Sequence, residues 1–252
     1  PISVCLTENE GNALMSVSFP DIHIVVAGIE KVIPSIDNLD IFWPLLATHG
    51  TGQKITAYNS IISGPKREDE YDGPSEMFVI LLDNGRSEVL SRKQQRAALT
   101  CIRCGACLNA CPVYKTIGGH TYGTTYSGPI GSVITPWMKG LDEYKHLSFA
   151  SSLCGSCTEV CPVKINLHEL LLYNRNDSVK EGYYTFFDNF SMWALKKMML
   201  NRKWMDFGKA GFKNFLLKNF FGNIWGPKRQ LPEVSEKNFK QLWEECREGK
   251  VK

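Results

Sequence analysis

Cys101-Ile-Arg-Cys104-Gly-Ala-Cys107-Leu-Asn-Ala-Cys111-Pro112 places four thiols within eleven residues and closes them with a proline. Three thiols at intervals of three suit three corners of one iron-sulfur cubane, while the fourth, one helical turn further on, is thrown toward a second cluster. A zinc ribbon would separate its ligands into two distant Cys-x-x-Cys knuckles, and four Cys this close would crowd a single tetrahedral ion. The run therefore predicts an iron-sulfur domain, with helices bracketing the ligands.

Outward from this run, Cys154-Gly-Ser-Cys157-Thr-Glu-Val-Cys161-Pro162 repeats its last three positions, and Ser151 stands where the first Cys belongs. Exchange of the fourth ligands between runs assigns Cys101, Cys104, Cys107 and Cys161 to one cluster and Cys111, Cys154 and Cys157 to the other. The expected cofactors are two iron-sulfur clusters. With three thiolates, the second is either a [3Fe-4S] cluster or a four-iron cluster whose last iron takes an oxygen, a nitrogen, a partner cysteine or an exogenous ligand. Ser151 is a candidate by position, and capping of a turn is the competing role. Crossed ligation sets two clusters side by side, which suits one-electron transfer better than a purely structural staple.

Seven of the nine cysteines lie between residues 101 and 161, a crowding that suggests metal in a reducing compartment rather than a disulfide scaffold. Cys5 in a strand and Cys246 in a terminal helix read as small apolar residues. His120, within Gly118-Gly119-His120-Thr121-Tyr122-Gly123, reads as a surface-loop residue with cluster tuning as the alternative, and the other four histidines form no constellation. No Ser-His-Asp set, P-loop or dinucleotide fingerprint occurs. The 252 residues carry a formal charge of only +3, which gives no support to polyanion binding by the chain as a whole.

Residues 1–90 read as α/β material. Ile2–Leu6, Ile22–Val26, Lys54–Ile62 and Met77–Leu82 predict strands, the last apolar on both faces, and Asp37–Thr48 predicts a helix ended by Gly50. The pattern suggests a buried, largely parallel sheet of which this zone is the later half. Residues 91–182 hold the cysteines. Ser91-Arg-Lys-Gln94 and Asn166-Leu-His-Glu169 have capping-box form and predict helix starts, with a Gly-rich loop after the first cluster run. Thr116 to Met138 is uncharged, but its five Gly and two Pro exclude a membrane-spanning helix. Residues 183–252 predict a basic, aromatic helical tail. Tyr183 to Gln230 contains 13 of the 28 aromatics and a net charge of +7, and Phe212, Leu216, Phe220 and Ile224 recur at helical spacing. Trp193, Trp204 and Trp225 are its candidate docking residues, with ordinary core as the competing role. Glu236 to Glu248 predicts a charged terminal helix. The fold class is thus α/β plus α.

The quoted cysteine runs, together with Ile117-Gly-Gly-His-Thr-Tyr-Gly123, Ser127-Gly-Pro-Ile-Gly131, Thr7-Glu-Asn-Glu-Gly-Asn12, Pro20-Asp-Ile-His-Ile24, Ile62-Ser-Gly-Pro65, Asp72-Gly-Pro74 and Arg229-Gln-Leu-Pro232, resemble the lactate utilization protein B family. The resemblance implies a partial lactate-utilization domain, similar to ribose-phosphate isomerase and CoA-transferase domains, followed by a ferredoxin-like helical domain with two four-iron clusters on seven cysteines. It further implies the iron-sulfur electron-transfer subunit of a lactate-to-pyruvate oxidising system, with the lactate utilization A and C proteins as partners. A cytoplasmic location follows, or one peripheral to the inner membrane face with a quinone-linked acceptor; nucleic acid is not an expected partner. The contrasting function is a non-redox, metal-stapled module docking a membrane, nucleic acid or protein.

Overall fold

The computed structural model describes residues 2–201, 203–204, 207–222, 226 and 230–248. The chain divides into two compact units, Pro1–Tyr183 and Tyr184–Lys252. Ile224, Trp225 and Pro227, which entered the expectations for the tail, lie outside the described residues.

The first unit opens with strands β1 (Val4–Glu8), β2 (Ile22–Gly28), β3 (Tyr58–Ile62) and β4 (Glu76–Leu82), with helices α1 (Asn12–Ser18) and α2 (Leu39–Thr51) between them. All four expected strands form, but not in one sheet. β1 pairs with β3 antiparallel, Leu6 opposite Ser60, and β2 pairs with β4 parallel, Val25 opposite Val79. The expected buried, largely parallel sheet is thus two separate two-stranded sheets. A pair of strands covers one face at best, so Val25 and Val79 are half-buried while Phe78 and Ile80 are each 50% exposed.

α1 had no evident start signal because its cap comes from the preceding strand. The Glu8 carboxylate accepts from the N–H groups of Ala13 and Leu14, both at 2.8 Å, after a left-handed turn at Gly11. α2 runs through Gly50 and stops at Gly52, which is left-handed (φ 76°) and donates to the Thr48 carbonyl. Gly50 serves a close approach instead: a Cβ there would stand 3.3 Å from the Cys104 carbonyl oxygen.

Helices then dominate: α3 (Arg86–Ser91), α4 (Ala106–Ala110), α5 (Pro112–Ile117), α6 (Gly128–Lys139), α7 (Leu141–Phe149), α8 (Ser156–Glu159) and α9 (Leu167–Lys180). Ser91 ends a helix where the sequence suggested that it began one, and its hydroxyl donates to the Glu88 carbonyl. A 3-10 turn, Gln95–Thr100, leads into the first cysteine run. α9 starts where expected, but Asn166 makes no side-chain cap, and its Oδ1 is buried without a partner.

The larger correction is α6. The Gly-rich stretch predicted as a loop contains the most completely buried helix of the unit, with every residue from Gly128 to Trp137 buried. Its small residues serve packing. A Cβ on Gly131 would overlap the Tyr126 carbonyl, and Gly128 (φ 68°) lies against Leu108. Ile130, Val133 and Ile134 of α6 pack with Leu167, Leu170 and Leu171 of α9 and with Cys107, Cys157 and Cys161. The cysteines are therefore part of the hydrophobic core.

Asn174, fully buried on α9, ties this core together. It accepts from Trp137 Nε1 at 2.8 Å and donates through Nδ2 to the Val133 carbonyl at 2.9 Å and the Ser148 hydroxyl at 3.1 Å. The Ser148 hydroxyl in turn donates to the Ser132 carbonyl at 2.9 Å. A buried polar network with its partners in place specifies one packing of α6, α7 and α9.

The second unit contains α10 (Phe186–Leu200), α11 (Ala210–Leu216), which continues into a π-helical turn at Leu217–Phe221, and α12 (Phe239–Arg247). Thr185 with Asp188 and Asn238 with Gln241 form reciprocal capping boxes at the starts of α10 and α12. No described residue of α10 or α12 is buried, and Trp193 and Trp204 are 56% and 68% exposed. Among the described residues no helix is long and apolar enough to cross a membrane.

Candidate metal centre

The backbone repeats where the cysteine sequence repeats. Arg103 (φ 64°) and Gly105 (φ 81°) flank Cys104 in left-handed conformations, as Leu153 (φ 56°) and Gly155 (φ 83°) flank Cys154. Short helices follow, placing Cys107 in α4 and Cys157 in α8, both buried. A positive φ is strained for Arg and Leu, so the two matched pairs show that the backbone conformation repeats with the sequence and is held by its surroundings rather than by local preference.

Cys161 does not stay with its own run. It lines a cavity of about 170 Å³ with Cys101, Cys104 and Cys107, closed by Ile130, Leu167 and Tyr126. Cys111 has likewise left the first run and lines a smaller cavity, about 20 Å³, with Cys154 and Cys157. Pro112 begins α5 immediately after Cys111, whose sulfur accepts from the Tyr114 N–H at 3.4 Å; the Cys161 sulfur accepts from the Ile165 N–H at 3.3 Å. α6 and α9 run between the cavities: Ile130 and Leu167 face the larger, Pro129 and Leu171 the smaller.

Among the described residues no three His, Cys, Asp or Glu side chains converge closely enough to hold a single ion. The thiols instead form the walls of two spaces. Four thiols are the donor set of a [4Fe-4S] cluster, and the set of three is one ligand short of it. The larger cavity has room for a polyatomic group, while the smaller is water-sized and would have to widen. Cys154, the one exposed thiol of the seven, stands at its rim.

Burial pushes the Cys107 thiol up to about 12 and raises Cys104 and Cys157, whereas hydrogen bonds from Ser156 hold Cys154 below the usual thiol range. Iron binds thiolate, so loading the buried sites releases protons.

A charged group adjoins the larger cavity, and nothing local in the sequence announced it. Glu30 and Arg86 form a buried ion pair, and Arg86 also donates to the Asp83 carbonyl at 2.9 Å and to the Tyr126 hydroxyl at 3.1 Å. A Cβ on Gly28 would overlap the Glu30 carboxylate. Arg103 lies 3.8 Å from the other Glu30 oxygen and 3.9 Å over the Tyr126 ring. Lys31 donates to the Cys101 carbonyl at 2.7 Å. Although Lys31 as a residue is exposed, desolvation of its ammonium and the nearby Arg103 hold it below the usual lysine range. Three cations around one carboxylate favour a negatively charged occupant.

Ser151 lines the smaller cavity. Its hydroxyl accepts from the Leu153 N–H at 3.2 Å, the turn-capping role weighed against metal binding, and its carbonyl accepts from Arg175 at 3.2 Å. His120 is exposed in a 3-10 turn, away from both linings. His168, which had no constellation in the sequence, is in the smaller cavity's wall. Its only sequence cue is its place seven residues after Cys161 at a helix start.

Comparison with known proteins agrees with the two halves of this unit. Residues 3–82 match the LUD domain and residues 97–165 the 4Fe-4S dicluster domain. Over 179 residues the chain is 51% identical to lactate utilization protein B of Bacillus cereus (strain B4264), to lactate utilization protein B 2 of Bacillus mycoides (strain KBAB4) and to lactate utilization protein B of Bacillus thuringiensis (strain Al Hakam). The match covers 71% of this chain and 37% of each relative, so the chain spans well under half the length of the curated relatives it matches. No solved structure matches it significantly. The chain is a homologue of the lactate utilization B proteins, carrying a LUD domain followed by a 4Fe-4S dicluster domain.

Proposed function

We propose that the chain is the iron-sulfur electron-transfer part of a lactate-oxidising assembly, with one cluster on Cys101, Cys104, Cys107 and Cys161 and a second on Cys111, Cys154 and Cys157. The observation that carries this is the exchange of Cys161 and Cys111 between cavities. The clusters, when bound, supply acceptance and release of single electrons.

The chain's own residues supply the rest. Ile130, Leu167 and Leu171 keep water from the buried sulfurs. N–H donors from Tyr114 and Ile165 stabilise thiolate charge at Cys111 and Cys161. The cations near Cys101 offset the charge that an electron adds. Lactate to pyruvate is the reaction that the family resemblance implies for the assembly, the relatives' names giving lactate utilization, and the lactate utilization A and C proteins are the expected partners.

Iron and acid-labile sulfide analysis on anaerobically purified protein tests the cofactor. About eight irons per chain are expected, and zinc without sulfide would leave the metal-stapled binding module. Cys161→Ser and Cys111→Ser test the crossing by paramagnetic resonance. Each should remove the cluster of the opposite run, and loss of the cluster of its own run would reverse the scheme.

A further inference from the structure

We infer that His168 is the fourth protein ligand of the second cluster, binding its remaining iron through Nε2. This rests on the two-cluster function proposed above and completes its incomplete ligand set.

Three thiols line the smaller cavity, so one corner of a four-iron cluster there lacks sulfur. The other polar lining residues include Ser132, Ser151, Ser152, Tyr122 and His168. A hydroxyl becomes a strong iron ligand only on losing its proton, and the Ser151 hydroxyl is already engaged by the Leu153 N–H. Imidazole binds iron in its neutral form, and His168 brings the one side chain with a basic nitrogen in the lining.

The ring is also held as a ligand's would be. His168 Nδ1 lies 2.8 Å from the Thr158 hydroxyl, which accepts from the His168 backbone N–H at 3.3 Å. With Nδ1 occupied, Nε2 is the nitrogen left for metal, and a hydrogen bond at the far nitrogen is the usual means of orienting a metal-binding imidazole. Thr158 follows Cys157 directly, so the orienting residue and a thiol ligand share the short helix α8. His168 stands in the first turn of α9, where Leu167, Leu170 and Leu171 are buried and fix the helix. Replacing a thiolate by neutral imidazole leaves the cluster one charge less negative, which makes it easier to reduce.

Pulsed paramagnetic resonance on the reduced full chain, prepared with ordinary and with 15N-labelled histidine, tests the assignment without any substitution. The second-cluster signal should carry a directly coordinated nitrogen coupling that changes with the label and disappears in His168→Ala. His168→Cys should keep four irons and shift the midpoint downward by at least a tenfold change in the reduced-to-oxidised ratio, about 59 mV for one electron. A second-cluster signal without histidine nitrogen coupling, or with coupling that survives His168→Ala, would overturn the ligand assignment and leave the two-cluster function standing. Iron and sulfide for one cluster only would overturn both.

Discussion

The ammonium of Lys31 donates a 2.7 Å hydrogen bond to the carbonyl oxygen of Cys101, 70 residues further along the chain. It joins the turn after β2 to the first residue of the cysteine run, and with Arg103 and Arg86 it brings positive charge to the larger cavity. Lys31→Met should leave iron content unchanged and make the first cluster harder to reduce. A charge interaction of about 1 kcal/mol corresponds to roughly 40 mV for a one-electron couple. An unchanged midpoint in a redox titration would show that solvent screens the ammonium.

Asn174→Ala should destabilise the first unit by roughly 3 kcal/mol, because Trp137 Nε1, the Val133 carbonyl and the Ser148 hydroxyl all lose a buried partner. Urea unfolding of the cluster-loaded protein checks this. A loss below about 1 kcal/mol would mean that water replaces the amide.

Gly131→Ala should cost about 2 kcal/mol, since its new Cβ meets the Tyr126 backbone rather than a movable side chain. Gly211→Ala is the control: it lies inside α11 with nothing within 4 Å, so the substitution should be neutral or stabilise by about 0.5 kcal/mol. Equal effects on thermal unfolding would contradict the close packing of α6.

Mild air exposure should convert the second cluster before the first, because Cys154 is exposed whereas Cys107, Cys157 and Cys161 are buried. A three-iron signal should appear early and be absent in Cys154→Ala. Early damage confined to the cluster of Cys101, Cys104 and Cys107 would reverse that order.

Trp193→Ala with Trp204→Ala should leave both clusters and the stability of the first unit unchanged, as both side chains are exposed. The double variant should bind co-purified lactate utilization A and C proteins several-fold more weakly. Loss of iron would instead make the aromatic segment part of the core.

Local chemistry was legible in the sequence. Cysteines three and four residues apart report their own geometry, so the two sulfur runs, the start of α9 and the four strands could be read directly. Asn166-Leu-His-Glu169 marked the start of α9 even though Asn166 makes no cap. Tertiary structure decided what depends on distant partners. Gly128-Pro129-Ile130-Gly131 reads equally as a loop or as a helix packed without side-chain bulk, and only the approach of Tyr126 and Leu108 makes it α6. Strand pairing depended on which neighbours were present, so strands apolar on both faces became two half-covered pairs. His168 carried little signal beyond its place at a helix start, because its relation to Cys111, Cys154 and Cys157 exists only once α9 folds against α8. Lys31 meets Cys101, with Glu30 and Arg86 paired beside Arg103, for the same reason: their charges act through space, across separations that no local motif records.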